Sequence, residues 1–267
     1  MPINDFGKPV ARWSNIAGFV TTPACFDPGP QMFARVAPST MGIQERVLHV
    51  DDYEYQLAQR TRNFGLLEEA AIALARCDCQ VVGQVGSNWS HCDNKTPDDT
   101  RRIMDDFSEK AGVPFLMAGY SIVEALRNIG AESVTIANGY YRDDWMEGIN
   151  RFITEAGFKV LASGNLVDQG LRRDLDEMLE VEAATHWDYP ARDLVQSCHK
   201  AHLAAPEADV VVQTGAGFSM VPYLEAIEGL VEKPVIPSDA ALYWNMLKHL
   251  GAPGPHREYG YLLARLA

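Results

Sequence analysis

Two short glycine turns carry the densest chemistry in the sequence. Gly215-Ala216-Gly217-Phe218-Ser219-Met220 follows the apolar run Val210-Val211-Val212, and Gly86-Ser87-Asn88-Trp89-Ser90 follows a run ending at Val85. Glycines there let backbone N–H groups point at an anion, helped by the start of a following helix. A dinucleotide fingerprint would need a third glycine where Met220 stands. It would also belong after the first strand, where the chain has Thr21-Thr22-Pro23-Ala24-Cys25. A small anion such as a carboxylate fits better, and a tight turn without any ligand fits nearly as well. Ser87, Asn88 and Ser90 add side-chain donors, although Ser and Asn are common in turns for local reasons.

Three further runs hold titratable groups. Tyr140-Tyr141-Arg142-Asp143-Asp144 follows the strand-like Ile136-Ala137-Asn138. A tyrosine at a strand's carboxyl end can bind an anion or transfer a proton. The pair could equally pack over a helix whose first turn takes Asp143 and Asp144. His91-Cys92-Asp93 directly follows the Gly86 turn, and Cys198-His199-Lys200-Ala201-His202 falls in a helical stretch. The last run places two histidines about one turn apart, half of a metal site, as a helix allows. No cluster elsewhere completes it, so a solvated helix face is the favoured reading and no metal is expected. No G-x-S-x-G elbow or Walker loop occurs, which leaves hydrolase and NTPase readings unsupported.

Strands and helices must position these groups. The strand-like runs are 16–21, 46–50, 79–85, 114–117, 134–138, 159–161, 208–213 and 234–237, mostly continuously apolar as in strands covered on both faces. Between them lie helices with readable ends. Thr96-Pro97-Asp98-Asp99 starts one and Ala111-Gly112-Val113-Pro114 stops it, while Glu155-Ala156-Gly157-Phe158 ends another. Strand and helix alternating through the chain predict an α/β fold. The pattern is also twofold: the strands near Val20 and Ile136 each open a series whose later strand ends in a glycine turn. That predicts two similar Rossmann-like domains, each a parallel sheet flanked by helices, with the site in the cleft between them. The expected division is 15–117 with 236–267 for the first domain and 118–235 for the second.

Composition narrows the partners. A net charge of −13 over 267 residues disfavours nucleic acid and anionic membrane surfaces, which both need a basic face. No apolar run is long enough to span a bilayer. Met1 to Trp13 carry Asp5, Lys8 and Arg12 and show no apolar signal core. Cys25, Cys77, Cys79, Cys92 and Cys198 form no C-x-x-C pair and read as free thiols, so a cytoplasmic location is expected. The apolar helix Leu66 to Ala75 could form a dimer face in a homo-oligomer, but packing on a sheet explains it more simply.

Taken in order, the runs resemble the aspartate/glutamate racemase superfamily, within it the arylmalonate decarboxylase and maleate isomerase branch. The residues are Gly18-Phe19-Val20-Thr21-Thr22-Pro23-Ala24, the Gly86 turn and Tyr141 with Asp143 and Asp144. Ala156-Gly157-Phe158, Gly215-Ala216-Gly217 and Ser238-Asp239-Ala240-Ala241-Leu242-Tyr243-Trp244 complete them. The likeness runs from about Ile16 to Gly251. It implies two similar α/β domains, no cofactor or metal, and one or two cysteines flanking a substrate carbon to move protons. It also implies a dioxyanion hole that holds a carboxylate and stabilises the enediolate formed from it. By position its donors would be Ser87, Asn88, Tyr141 and the backbone of Ala216 and Gly217, with Thr22, Pro23, Gly86, Tyr140 and Gly215 lining the substrate.

The two cysteine positions fall on Gly86 and Gly215. Glycine at position 86 is like the decarboxylase branch, which works with one thiol; glycine at 215 departs from it. The groups available to replace a thiol are Tyr141 first, then Cys25, His91 and Cys92, with Asp27, Tyr140 and Asp239 the other titratable groups near strand ends. The expected function is a cofactor-independent lyase or isomerase acting beside the carboxylate of a small organic acid, by decarboxylation, elimination or double-bond isomerisation. The rivals are a small-acid sensor without catalysis and an enzyme on a neutral or cyclic substrate.

Overall fold

The computed structural model describes residues 13–23, 25–185, 189–215, 217–252 and 257–266. Among the described residues, eight parallel strands form two sheets. β1 (Asn15–Thr21), β2 (Met41–Val47), β3 (Val81–Gln84) and β4 (Phe115–Met117) are ordered β2-β1-β3-β4. β5 (Ser133–Gly139), β6 (Lys159–Asn165), β7 (Val210–Gln213) and β8 (Val235–Pro237) are ordered β6-β5-β7-β8, the same arrangement four strands later. The fold is α/β with two parallel sheets flanked by helices, as the sequence predicts.

The central strands fall where apolar runs place them, because Val81, Val82, Val134, Ile136, Val211 and Val212 are sealed on both faces. Two of the four edge strands differ. β2 lies at Met41–Val47 rather than over 46–50, pairing Asn15 with Met41 through Thr21 with Val47. Its last four residues, Gln44 to Val47, are exposed, so apolar density does not mark it. β6 extends to Asn165, past the expected Leu161, with exposed and half-buried residues alternating as on a half-covered edge.

Helix ends follow their local chemistry. Thr96 caps the helix Pro97–Ala111 in a reciprocal box with Asp99, and Gly112 closes it at φ +75°. Gly157, at φ +102°, follows the helix Asp143–Glu155. In the helix Gly65–Ala75, Leu67, Ala70, Ala71 and Leu74 are buried, and Leu74 and Cys79 lie so close to Gly18 of β1 that a Cβ there would meet both. The helix Ser238–His249 after β8 reaches the first sheet, its Met246 sulfur filling the place of a Cβ on Gly83. Its Asn245 Nδ2 donates to Ser121 Oγ, at 3.2 Å, on the helix Ala118–Asn128 after β4. Among the described residues, no helix is long and apolar enough to cross a membrane.

Candidate active site

β1, β3, β5 and β7 all end at one cleft, where each sheet's order reverses and parallel sheets bind ligands. The cleft holds a cavity of about 50 Å³ that opens to solvent. From the first sheet it is lined by Thr22, Cys25 to Pro28, Tyr55, Arg60, Gly86, Asn88 and Trp89. From the second it is lined by Tyr140, Tyr141, Trp145 and Gly217.

Tyr141 and Ser87 join the two halves. Their hydroxyls lie 2.5 Å apart, one on the loop after β5 and the other on the turn after β3. Burial raises the Tyr141 phenol above its ordinary value, while Ser87, then Arg60, Thr214 and the Gly215 N–H act in the opposite direction. Tyr141 therefore stays a neutral O–H donor near pH 7. Asn165 Nδ2 holds its backbone carbonyl at 2.9 Å, and Thr214 Oγ1 donates to Asn138 Oδ1 at 3.0 Å beneath it. Gly119 allows the Ser87 turn to sit where it does: a Cβ at 119 would stand 2.7 Å from the Ser87 carbonyl.

The two glycines at the expected thiol positions are unlike. Both have positive φ, +94° at Gly86 and +97° at Gly215. A Cβ at Gly86 would meet nothing closer than 3.6 Å, where Thr22 Oγ1 and Trp89 lie. At Gly215 it would strike Tyr140, 2.9 Å from Cζ and 3.0 Å from the hydroxyl. Tyr140 thus fills that side of the cleft. Its hydroxyl accepts from the Gly217 N–H at 2.9 Å, and its ring packs on Tyr189 and Phe218.

His91 and Cys92 follow the Gly86 turn in sequence, but the helix Asn88–His91 carries them away from the cleft lining. His91 packs on Gly148 of the helix Asp143–Glu155, and burial with Arg60 and Arg151 nearby pushes its pKa down to about 3. As a neutral ring its Nε2 donates to Asn88 Oδ1 at 3.0 Å, leaving the Asn88 amide N–H2 as the group offered to the cleft. Cys92 is sealed, donates to the Trp89 carbonyl at 3.3 Å, and burial raises its thiol. Cys25 is half-buried on the lining, beside Thr22. Pro23 is buried just behind Thr22. Ala216 lies outside the described residues. Among them, no group of three His, Cys, Asp or Glu is placed to hold a metal.

One lining residue, Arg60, carries no sequence signal that singles it out as a site group. Arg60 is 4% exposed, sits in the six-residue helix Leu57–Arg62, and donates through Nη1 to the Tyr55 carbonyl. Its guanidinium lies 4.8 Å over Trp145, whose ring also receives Arg142 at 4.4 Å. No carboxylate among the described residues pairs with Arg60, and its Nε has no partner there. A buried cation of this kind is costly unless an anion joins it. Asp27, one of the titratable groups expected near a strand end, lies on the lining as a buried carboxyl of the β1 loop, pushed up to about 6, chiefly by burial.

Two matched parallel-sheet halves with a donor-lined cleft at their strand ends place the protein in the aspartate/glutamate racemase superfamily. Within it, the arylmalonate decarboxylase model matches residues 26–263, and the chain belongs to that family. It is 26% identical over 155 residues to the arylmalonate decarboxylase of Bordetella bronchiseptica, a match covering 58% of this chain and 59% of that relative. A liganded double mutant of arylmalonate decarboxylase superposes with a TM-score of 0.78 at 18% identity, over 93% of this chain and 98% of the other. The maleate isomerase of Pseudomonas putida S16 gives 0.76 at 15% identity, over 95% and 99%. A Nocardia farcinica maleate cis-trans isomerase carrying a succinylcysteine intermediate gives 0.75 at 16%, over 94% and 98%. These structural likenesses establish the fold.

Proposed function

We propose that this protein is a cofactor-independent lyase or isomerase that acts beside the carboxylate of a small organic acid through an enediolate. The observation that carries the reading is the Ser87–Tyr141 hydroxyl pair, 2.5 Å apart, between two glycine turns. Ser87, Asn88 and Tyr141 would hold the carboxylate, while the Tyr140 and Tyr141 hydroxyls take the N–H groups of Gly217 and Gly215. When a bond to the neighbouring carbon breaks, its electron pair moves onto the carboxylate oxygens, and these fixed donors stabilise the charge that develops. Because burial keeps Tyr141 protonated, it donates throughout the reaction. Arg60 adds a positive field to a protein of net charge −13, so attraction of the acid is local. Tyr140, filling the space beside Gly215, weighs against a bulky neutral or cyclic substrate there.

The test follows substrate loss and CO2 release by NMR with a panel of malonates, maleate and hydroxy acids. Tyr141→Phe should lower turnover by roughly 10²-fold, the cost of one oxyanion donor. Unchanged turnover removes Tyr141 from the site. Stabilisation of the protein by an acid without turnover would point to a sensor instead.

A further inference from the structure

A site that stabilises an enediolate still needs a group to give the carbon its proton, and neither Gly86 nor Gly215 has one. We propose, on the basis of the function above, that Asp27 is the proton-transferring residue, working from the open side of the cleft beside Gly86. Among the described residues it is the one carboxyl on the cleft lining. Its Oδ1 accepts from the Gly29 N–H at 2.9 Å, which fixes the carboxyl plane. Its Oδ2 faces the Thr22 hydroxyl at 3.4 Å, and that hydroxyl stands 3.6 Å from where a Cβ at Gly86 would be. Thr22 thus lies between the carboxyl and the space at position 86, and Thr22, Asp27 and Gly86 share one cleft lining.

The surroundings favour a carboxyl that holds a proton. Glu45 faces it from β2, Asp239 and Tyr243 interact with it from the helix Ser238–His249, and Cys25 shares its loop. Burial is the main cause that places Asp27 at about 6; the N–H groups of Gly29 and Thr22 and the Thr22 hydroxyl act the other way, and Glu45 adds to the rise. In the step, the Asp27 O–H bond breaks and its proton forms a C–H bond at the substrate carbon. The enediolate electron pair closes onto that bond and restores the carboxylate. Asp27, now ionised, regains a proton from water at the cleft mouth.

Asp27 also holds the start of the helix Gly29–Val36, so the substitution must keep that contact. Asp27→Asn retains the acceptor for Gly29 and has no acidic proton. Turnover and solvent-deuterium incorporation should fall at least ~100-fold, the usual scale of general-acid catalysis, with KM changed less than about threefold. In the wild type, kcat/KM should fall tenfold per pH unit as the pH rises above about 6, because the protonated form is needed. The residual activity of Asp27→Asn should lack that limb. Turnover by Asp27→Asn close to wild type overturns the assignment, as does a comparable loss confined to Cys25→Ser, which would give the role to the thiol. Wild-type protein that neither converts nor exchanges any acid overturns the cradle and this assignment together. Acid conversion that survives in Asp27→Asn overturns the assignment alone.

Discussion

Asp239 offers a test of the cleft's electrostatics that needs no substrate. It lies in the first turn of the helix Ser238–His249, where a helix dipole favours an anion by about 0.5–1 kcal/mol. Burial opposes that and dominates: the carboxyl is 3% exposed and its pKa rises from 3.8 to about 7, even though the Ala240 and Met220 N–H groups act the other way. Its Oδ2 has no partner among the described residues, as expected of a protonated acid or an orphaned oxygen. A folded pKa above the unfolded one means stability is full below about pH 4 and is lost as the pH rises to about 7. A shift of roughly three pKa units corresponds to at most ~4 kcal/mol. Asp239→Asn removes that loss while keeping an acceptor for Ala240, which Oδ1 binds at 2.7 Å. Urea unfolding of both proteins from pH 4 to 8 should give equal stability at pH 4 and an advantage for the variant at pH 8, up to ~4 kcal/mol. A variant less stable than wild type at pH 8 would show an ionised, well-held carboxylate and refute the reasoning.

The two glycine positions should respond unequally. Gly86→Ala meets only a positive φ and should cost about 1–2 kcal/mol, whereas Gly215→Ala also drives Tyr140 from its place and should cost about 2–5 kcal/mol. Equal losses in urea unfolding would contradict the contrast. Arg60→Gln should weaken acid binding about tenfold or more in calorimetry, the loss expected of a charge-assisted hydrogen bond. An unchanged Kd would make Arg60 purely structural, a support for Tyr55 and Trp145.

How much was legible in the sequence follows from where each signal resides. The six inner and short strands announce themselves because burial on both faces demands continuous apolar runs. The edge strands β2 and β6 are half exposed, and their boundaries shift accordingly. The Gly86, Tyr140 and Gly215 turns were readable because a strand's end and a glycine mark a site within a few residues. His91 and Cys92 show the limit of that reasoning, since one helical turn takes them from the cleft into the packing against Gly148 and Trp89. Arg60 depends on contacts with Trp145, 85 residues away in the chain, and nothing local to the run Leu57 to Arg62 encodes them. Tyr140 in the place of a thiol at 215 is likewise a contact between distant strands.

The central claim is that fixed donors from both halves hold an acid while a proton moves at the adjacent carbon. Incubating metal-stripped protein with the acid panel in D2O, and reading each product by NMR, tests it most directly. The account predicts a single deuterium at the carbon next to the retained carboxylate, formed at a rate that falls sharply in Tyr141→Phe. Acids recovered unchanged and without deuterium, or incorporation indifferent to Tyr141, would contradict it.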